Sequence, residues 1–97
     1  MEVVLMAAVQ KAKKKRVYFE LEAPAAQEVI LCGSFNGWDS GSKPLKQNKS
    51  GKWRTFRMLE PGIYEYRFFV DGTWQNDDAA EQVVNAYGSH NSVCTVV

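Results

Sequence analysis

The sequence predicts an all-β fold, an antiparallel β-sandwich of about seven or eight short strands. Short segments alternate apolar and polar residues with the period of two that a half-buried strand requires. Gly, Pro, Asn and Asp separate these segments at short intervals, and no segment shows a helical period. The predicted strands cover residues 17–21, 28–32, 44–47, 53–59, 63–71, 73–75, 82–85 and 92–97.

The first two predicted strands show how the residue pattern and the residues that end a strand define its bounds. Val17, Phe19 and Leu21 are separated by single residues of a more polar kind, so their side chains share one face. Pro24 ends this strand because it lacks the N–H that a sheet ladder needs. Gly33 closes the second strand, which is apolar almost throughout.

The longest predicted strand, 63–71, follows a predicted type II turn. Pro61 fixes φ for that turn and Gly62 supplies the positive φ that it requires. Alternation then divides the strand into two faces. The predicted core face carries Tyr64, Tyr66, Phe68 and Val70, and the outer face carries Glu65, Arg67, Phe69 and Asp71.

Composition allows one domain and disfavours two classes of partner. The chain has 97 residues, too few for two domains. Five of its twelve Lys and Arg residues lie in 11–16, and residues 17–97 are net acidic, which argues against nucleic acid. The apolar stretch 3–9 is too short for a membrane span and makes a poor signal peptide. We therefore expect a flexible basic leader over 1–15 and a single domain over 16–97. We also expect a cytoplasmic location, and with it reduced thiols at Cys32 and Cys94.

Two tryptophans next to tight turns give the first indication of function. Trp38 follows Asn36-Gly37, and Trp74 follows the predicted hairpin turn Asp71-Gly72. A large indole beside a surface turn calls for a ligand, because leaving it in water forgoes burial. A flat aromatic face suits the flat apolar face of a pyranose ring, so the pair predicts a sugar-stacking platform.

Four ordered blocks carry a family resemblance. The blocks are Leu31-Cys32-Gly33-Ser34-Phe35-Asn36-Gly37-Trp38, Gly51-Lys52-Trp53, the run from Pro61 to Trp74, and the run from Asn85 to Ser92. From about Arg16 to Val97 the chain resembles the family 48 carbohydrate-binding module, found in the beta subunit of AMP-activated protein kinase and at the N-terminus of branching and debranching enzymes. The resemblance implies an immunoglobulin-like sandwich and a non-catalytic module that binds glycogen, starch or related α-1,4-linked glucans.

The resemblance also implies a carbohydrate site. Trp38 and Trp74 occupy the family's stacking positions, although either indole could instead cap the core. Arg67 stands where the family commonly has a Lys that hydrogen-bonds to sugar hydroxyls. An Arg at this position keeps hydrogen-bond donors, but its side chain differs from that of Lys in reach and shape. Its alternative role is a solvated surface charge.

The segment 86–92 supplies three further candidates. Tyr87 stands where the family places a bulky apolar residue, often Leu, against the bound chain. Ser89 and Asn91 match a hydroxyl and an amide that bond sugar hydroxyls. The alternative for both is turn chemistry, because Ser and Asn are common in any loop.

Residue content argues against catalysis and bound cofactors. His90 is the only histidine, which excludes a histidine dyad or a His-rich metal site. Asp71, Asp77 and Asp78 lack a calcium-loop pattern, and a sandwich this small offers a surface rather than a hydrolase cleft. We expect no enzyme activity, no metal and no cofactor. The alternative function is a protein-interaction or docking module for a partner enzyme or kinase subunit that has lost sugar binding.

Overall fold

A computed structural model describes residues 13–97 of the chain. Most of the predicted leader, residues 1–12, therefore lies outside the described residues. Eight strands follow one another: β1 (Lys15–Glu22), β2 (Val29–Gly33), β3 (Lys46–Gln47), β4 (Lys52–Leu59), β5 (Gly62–Val70), β6 (Thr73–Gln75), β7 (Glu81–Val84) and β8 (His90–Val96). The predicted all-β class and strand number are confirmed.

The strands form two antiparallel sheets. The smaller sheet has the order β1-β4-β3, and the larger has the order β2-β5-β8-β7, with β6 paired to β5. Strand β5 is central to the larger sheet: β2 pairs along 66–70, while β8 and β6 pair with successive parts of the strand. Each side chain of β5 is thereby held either toward the core or on the outer face.

The core lies between the sheets and uses the predicted face of β5. Tyr66 and Phe68 are buried, while Tyr64 and Val70 pack against the core from its margin. Phe19 packs edge-on against Tyr66, with ring centroids 4.9 Å apart. Apolar burial of this kind provides most of the favourable free energy of folding in so small a domain.

The turn before β5 differs from its prediction. The φ of Gly62 is 159°, whereas the second central residue of a type II turn needs a φ near +80°. Gly62 instead pairs with Val96 as the first residue of β5. The Pro-Gly pair thus bends the chain and starts a strand, because glycine adopts extended backbone as readily as a turn conformation.

Both cysteines are free thiols, as predicted. Cys32 lies in register with Arg67 on β5, and Cys94 lies in register with Tyr64. Their strands lie on opposite sides of β5, which keeps the two sulfurs from pairing. Burial raises the pKa of the Cys32 thiol, with Asp39 adding to the effect, and burial also raises the pKa of the Cys94 thiol.

Candidate functional site

A depression of about 230 Å³ lies on the outer side of the larger sheet. It is shaped by the turn after β2, by β5 and β6, and by the connection from β7 to β8. The residues that line it are Trp38, Arg67, Trp74, Asn85, Tyr87 and Asn91. Five of the six residues predicted from the sequence therefore surround one concave surface.

Trp38 is held by a tightly bonded turn. The carbonyl oxygen of Gly33 accepts hydrogen bonds from the N–H of Asn36 at 3.1 Å and of Trp38 at 3.0 Å. The Asn36 side chain accepts from the Gly33 N–H at 3.0 Å and donates to the Leu31 carbonyl at 3.1 Å. Gly37 and Trp38 have φ values of 69° and 60°, so the left-handed backbone includes the tryptophan itself.

Trp74 is presented by the predicted hairpin. Asp71 and Gly72 have φ values of 47° and 86°, which suits the two-residue turn between antiparallel strands. The Asp71 carboxylate accepts from the N–H of Gln27 at 3.1 Å and of Glu28 at 2.8 Å. These bonds tie the hairpin to the start of β2 and fix the short strand that carries Trp74.

The Trp74 ring is supported on one side and open on the other. It contacts Phe69, its partner across β5 and β6, with centroids 4.7 Å apart and planes tilted by 52°. The residue nevertheless remains 39% exposed. A large ring held in place with an accessible surface loses little conformational freedom when a flat ligand packs on it.

Arg67 is fixed by a chain of hydrogen bonds. Its Nε donates to Asn76 Oδ1 at 2.7 Å, and Asn76 Nδ2 donates to Gln82 Oε1 at 3.0 Å. Gln82 in turn donates to the Asp77 carbonyl at 2.8 Å. The guanidinium carbon lies 5.8 Å from the centroid of the Trp74 ring. Arg67 is thus an oriented donor beside an aromatic face and not a freely solvated charge.

Asn85 organises the connection between β7 and β8. Its Oδ1 accepts from the N–H of Tyr87 at 2.9 Å and of Ser89 at 3.1 Å, while its own N–H donates to the Ser89 carbonyl at 2.9 Å. Tyr87 stands at the tip and is 94% exposed. Ser89 is not among the lining residues, and its predicted contact with sugar stays a prediction.

Asn91 is buried beneath the depression with only 7% exposure. Its Nδ2 donates to Glu65 Oε1 at 2.9 Å, and its Oδ1 accepts from Asn85 Nδ2 at 3.1 Å. One amide hydrogen and one lone pair remain for a ligand. The Glu65–Asn91–Asn85 chain therefore links the floor of the depression to the loop that carries Tyr87.

The lining has a simple chemical character. It presents three aromatic rings, two amides and one guanidinium, and no Asp or Glu is among the described residues that line it. Elsewhere in residues 13–97, no cluster of three His, Cys, Asp or Glu side chains has the proximity to hold a metal ion. The surface can pack against a flat apolar face and hydrogen-bond to hydroxyl groups around it.

Sequence reasoning missed Asn85 and Asn76. An Asn two residues before a Tyr-Gly-Ser stretch is a signal for a side-chain-capped turn, and it could have identified Asn85. Asn76 gives no comparable signal, because its role depends on the pairing of β5 with β6, which brings it beside Arg67.

Fold and site together define a small β-sandwich module with an aromatic, hydrogen-bonding depression on one sheet. The chain belongs to the family described as the glycogen recognition site of AMP-activated protein kinase, which it matches over residues 16–97. This assignment confirms the resemblance to the kinase beta subunit. The likeness to the N-terminal domains of branching and debranching enzymes stays a prediction.

Curated relatives come from plants and mammals. The chain is 39% identical over 82 residues to Protein FLOURY ENDOSPERM 6, chloroplastic, from Oryza sativa subsp. japonica, covering 84% of this chain and 15% of the relative. It is 36% identical over 72 residues to Protein PTST homolog 2, chloroplastic, from Arabidopsis thaliana, covering 74% and 13%. It is 34% identical over 70 residues to the 5'-AMP-activated protein kinase subunit beta-1 of Rattus norvegicus, covering 72% and 25%.

These relatives are much longer proteins, since the chain spans a quarter of their length or less. The family is therefore established for this domain, whereas activities and partners of the longer proteins are not. Within residues 13–97, the structure contains no helix long and apolar enough to cross a membrane.

Proposed function

We propose that this domain is a non-catalytic module that binds α-1,4-linked glucan of the glycogen or starch type in the aromatic depression. One observation carries the proposal: Trp38 and Trp74 are presented by two separate, hydrogen-bonded turns and line the same concave surface. Independent turns that bring two large rings together on a surface are expected for a binding platform and are unnecessary for packing a core.

Stacking supplies the affinity in this proposal. Each sugar face that covers an indole removes apolar area from water on both partners, worth about 1–2 kcal/mol. Two rings on a concave surface favour a chain that curves, and an α-1,4-linked glucan is helical whereas a β-1,4-linked chain is flat. Tyr87 at the loop tip adds a third ring that can close over the sugar chain.

Hydrogen bonds supply orientation. The guanidinium of Arg67 retains donors beyond the Nε that Asn76 engages. Asn85 and Asn91 place amide groups at the base of the depression, and Ser89 remains a candidate donor at its margin. Because these groups are already held by neighbours, few additional side chains must be ordered when a sugar binds.

In a larger assembly, such a module raises the effective concentration of a linked activity on the polymer. A partner enzyme or kinase subunit fits this role, since one relative is a kinase subunit by name. The intact aromatic lining argues against the alternative in which sugar binding has been lost. The cytoplasmic location stays a prediction, because the two plant relatives are named chloroplastic.

Calorimetric titration with maltoheptaose tests the proposal. Binding should be measurable, and cellohexaose, which is β-1,4-linked, should bind at least about tenfold more weakly because its flat chain engages one ring at a time. Trp74→Ala and Trp38→Ala should each reduce affinity by about tenfold or more. Tyr18→Ala is the matched control, because Tyr18 is an exposed aromatic on the opposite sheet. Normal binding by either tryptophan variant would remove that residue from the site.

A further inference from the structure

The smaller sheet has an open edge. Strand β1 pairs with β4 along its whole length, from Lys52 to Leu59. On the other side of β4, β3 pairs only with Trp53 and Arg54. Beyond that point, residues 55–59 have no strand on this side among residues 13–97.

The backbone groups on this edge can be assigned from the hairpin between β3 and β4. The Lys52 carbonyl accepts from the Asn48 N–H at 2.8 Å, so Lys52 directs its backbone groups toward β3. The alternation of a strand directs those of Phe56 and Met58 to the same side. On this edge, the Phe56 carbonyl accepts a hydrogen bond from Arg57 Nη1 that is long, at 3.4 Å. Such an edge is a template for another strand.

A groove of about 350 Å³ follows this edge. It is lined by Lys43, Pro44, Leu45, Lys46, Arg54, Thr55, Phe56 and Arg57. Leu45 is buried at its base, and Phe56 is 44% exposed along it. Four cations and no carboxylate are among these described lining residues, so the groove combines an apolar floor with a strongly positive margin.

Most of this positive charge is available to a ligand. Arg54 donates through Nε to Glu20 at 2.9 Å, while its guanidinium lies 4.2 Å from the Tyr18 ring centroid. No acidic group of residues 13–97 lies within salt-bridge distance of Lys43 or Lys46. The cations are spread along the groove, which suits a ligand with several separated negative charges.

The positive charge of the groove favours an acidic strand over a neutral or basic one. Lysines beside an edge strand discourage neutral or basic strands from pairing there. A second copy of this chain would bring the same cations against each other, and like charges repel. An acidic strand is attracted instead, because its carboxylates can pair with the cations of the groove. Its backbone can at the same time form hydrogen bonds with the backbone groups of Phe56 and Met58.

We propose that the open edge of β4 and its basic groove bind an extended, Asp- and Glu-rich segment of a partner protein as an added strand. This surface belongs to the smaller sheet, whereas the aromatic depression lies on the larger one. The proposal therefore stands independently of glucan binding, and both surfaces can be occupied at once.

NMR titration of the full chain with a short synthetic peptide that alternates Glu and Thr tests this proposal. The expected result is that the backbone amides of Phe56 and Met58 shift and exchange more slowly with solvent. A peptide that alternates Lys and Thr should not produce these changes. Neither should the acidic peptide with N-methylated backbone amides, because it cannot donate to a strand edge.

Lys46→Glu should weaken binding of the acidic peptide about tenfold, because it replaces an attraction by a repulsion. Lys49→Glu is the matched control: Lys49 is also exposed, in the turn that follows β3, but does not line the groove. Unchanged Phe56 and Met58 amides overturn the proposal, as does equal binding of the basic or N-methylated peptide. Equal effects of Lys46→Glu and Lys49→Glu on peptide binding would also overturn it. The same holds if self-association of the chain protects the Phe56 and Met58 amides, or if maltoheptaose shifts their signals.

Discussion

Arg67 and Asn76 form the shortest side-chain contact at the edge of the aromatic depression. Arg67 Nε donates to Asn76 Oδ1 at 2.7 Å, although Arg67 lies on β5, Asn76 directly follows β6, and only Arg67 lines the depression. Asn76 is itself held by Gln82 at 3.0 Å. The position of the single cation in the site is therefore set by two neutral side chains behind it.

Asn76→Ala should lower maltoheptaose affinity about fivefold, which corresponds to one hydrogen bond of roughly 1 kcal/mol. Isothermal titration calorimetry measures the effect, and Gln75→Ala is the control because that neighbour, like Asn76, does not line the depression, whereas the side chain that accepts from Arg67 Nε is that of Asn76. Combined with Arg67→Ala, the Asn76 substitution should add nothing further. An equal loss in both backgrounds would show that Asn76 acts by another route.

Asp71→Ala should weaken both the fold and sugar binding. Alanine tolerates the φ of 47° poorly, and the bonds to Gln27 and Glu28 would be lost. We expect the free energy of unfolding to fall by about 2 kcal/mol in urea titration. Asp71→Asn should retain most of the stability, since Asn accepts hydrogen bonds and adopts positive φ. Identical stability of the two variants would contradict the anchoring role.

Trp38→Gly and Trp38→Ala separate the ring from its backbone. Both remove the indole, so both should lose glucan affinity to the same extent. At a φ of 60°, however, glycine avoids a steric cost of about 1 kcal/mol that alanine retains. Thermal or urea unfolding should therefore find the glycine variant the more stable. Greater stability of the alanine variant would show that this turn relaxes when the ring is absent.

The raised pKa of the Tyr66 hydroxyl predicts that the protein loses stability at alkaline pH. Burial raises the pKa of its hydroxyl, and the hydrogen bond that it donates to Asp77 Oδ2 at 2.7 Å raises it further. The unfolded chain ionises near the ordinary value of about 10, below the folded pKa. The stabilisation is thus complete below about pH 10 and is lost as pH rises above it.

Urea titrations between about pH 7 and pH 11 measure this effect. Tyr66→Phe should lower stability at neutral pH and flatten the alkaline decline, while the cysteines contribute equally to both proteins. Tyr87→Phe is the control, because Tyr87 is almost fully exposed. An alkaline decline as steep in Tyr66→Phe as in the wild type would contradict the assignment.

Alternation and turn residues were sufficient to predict most of the fold. The core face of β5 and the Asp71-Gly72 hairpin follow from local chemistry, since strand period and positive φ are properties of short segments. The conformation of Gly62 does not follow in this way. Its backbone depends on pairing with Val96, which lies far along the chain.

The candidate site was predictable where a residue itself carries the chemistry. Trp38 and Trp74 are distinctive in type and position, whereas Asn76 supports Arg67 only through the pairing of two strands. Asn91 illustrates a second difficulty, because its burial and its bond to Glu65 are tertiary properties. Sequence reasoning therefore identified five of the residues that line the depression, and it missed Asn85 and Asn76, which hold Tyr87 and Arg67 in place through side-chain hydrogen bonds.

The three indole N–H signals of this chain provide the most direct test of glucan binding in the depression. Trp53 is a built-in control: it is 6% exposed, and its Nε1 donates to the Ala23 carbonyl at 2.8 Å within the core. Titration with maltoheptaose, followed by ¹H–¹⁵N NMR, should shift the Trp38 and Trp74 indole signals together and leave the Trp53 signal in place. Saturable binding that leaves both Trp38 and Trp74 unmoved, or that moves Trp53 instead, would contradict the account.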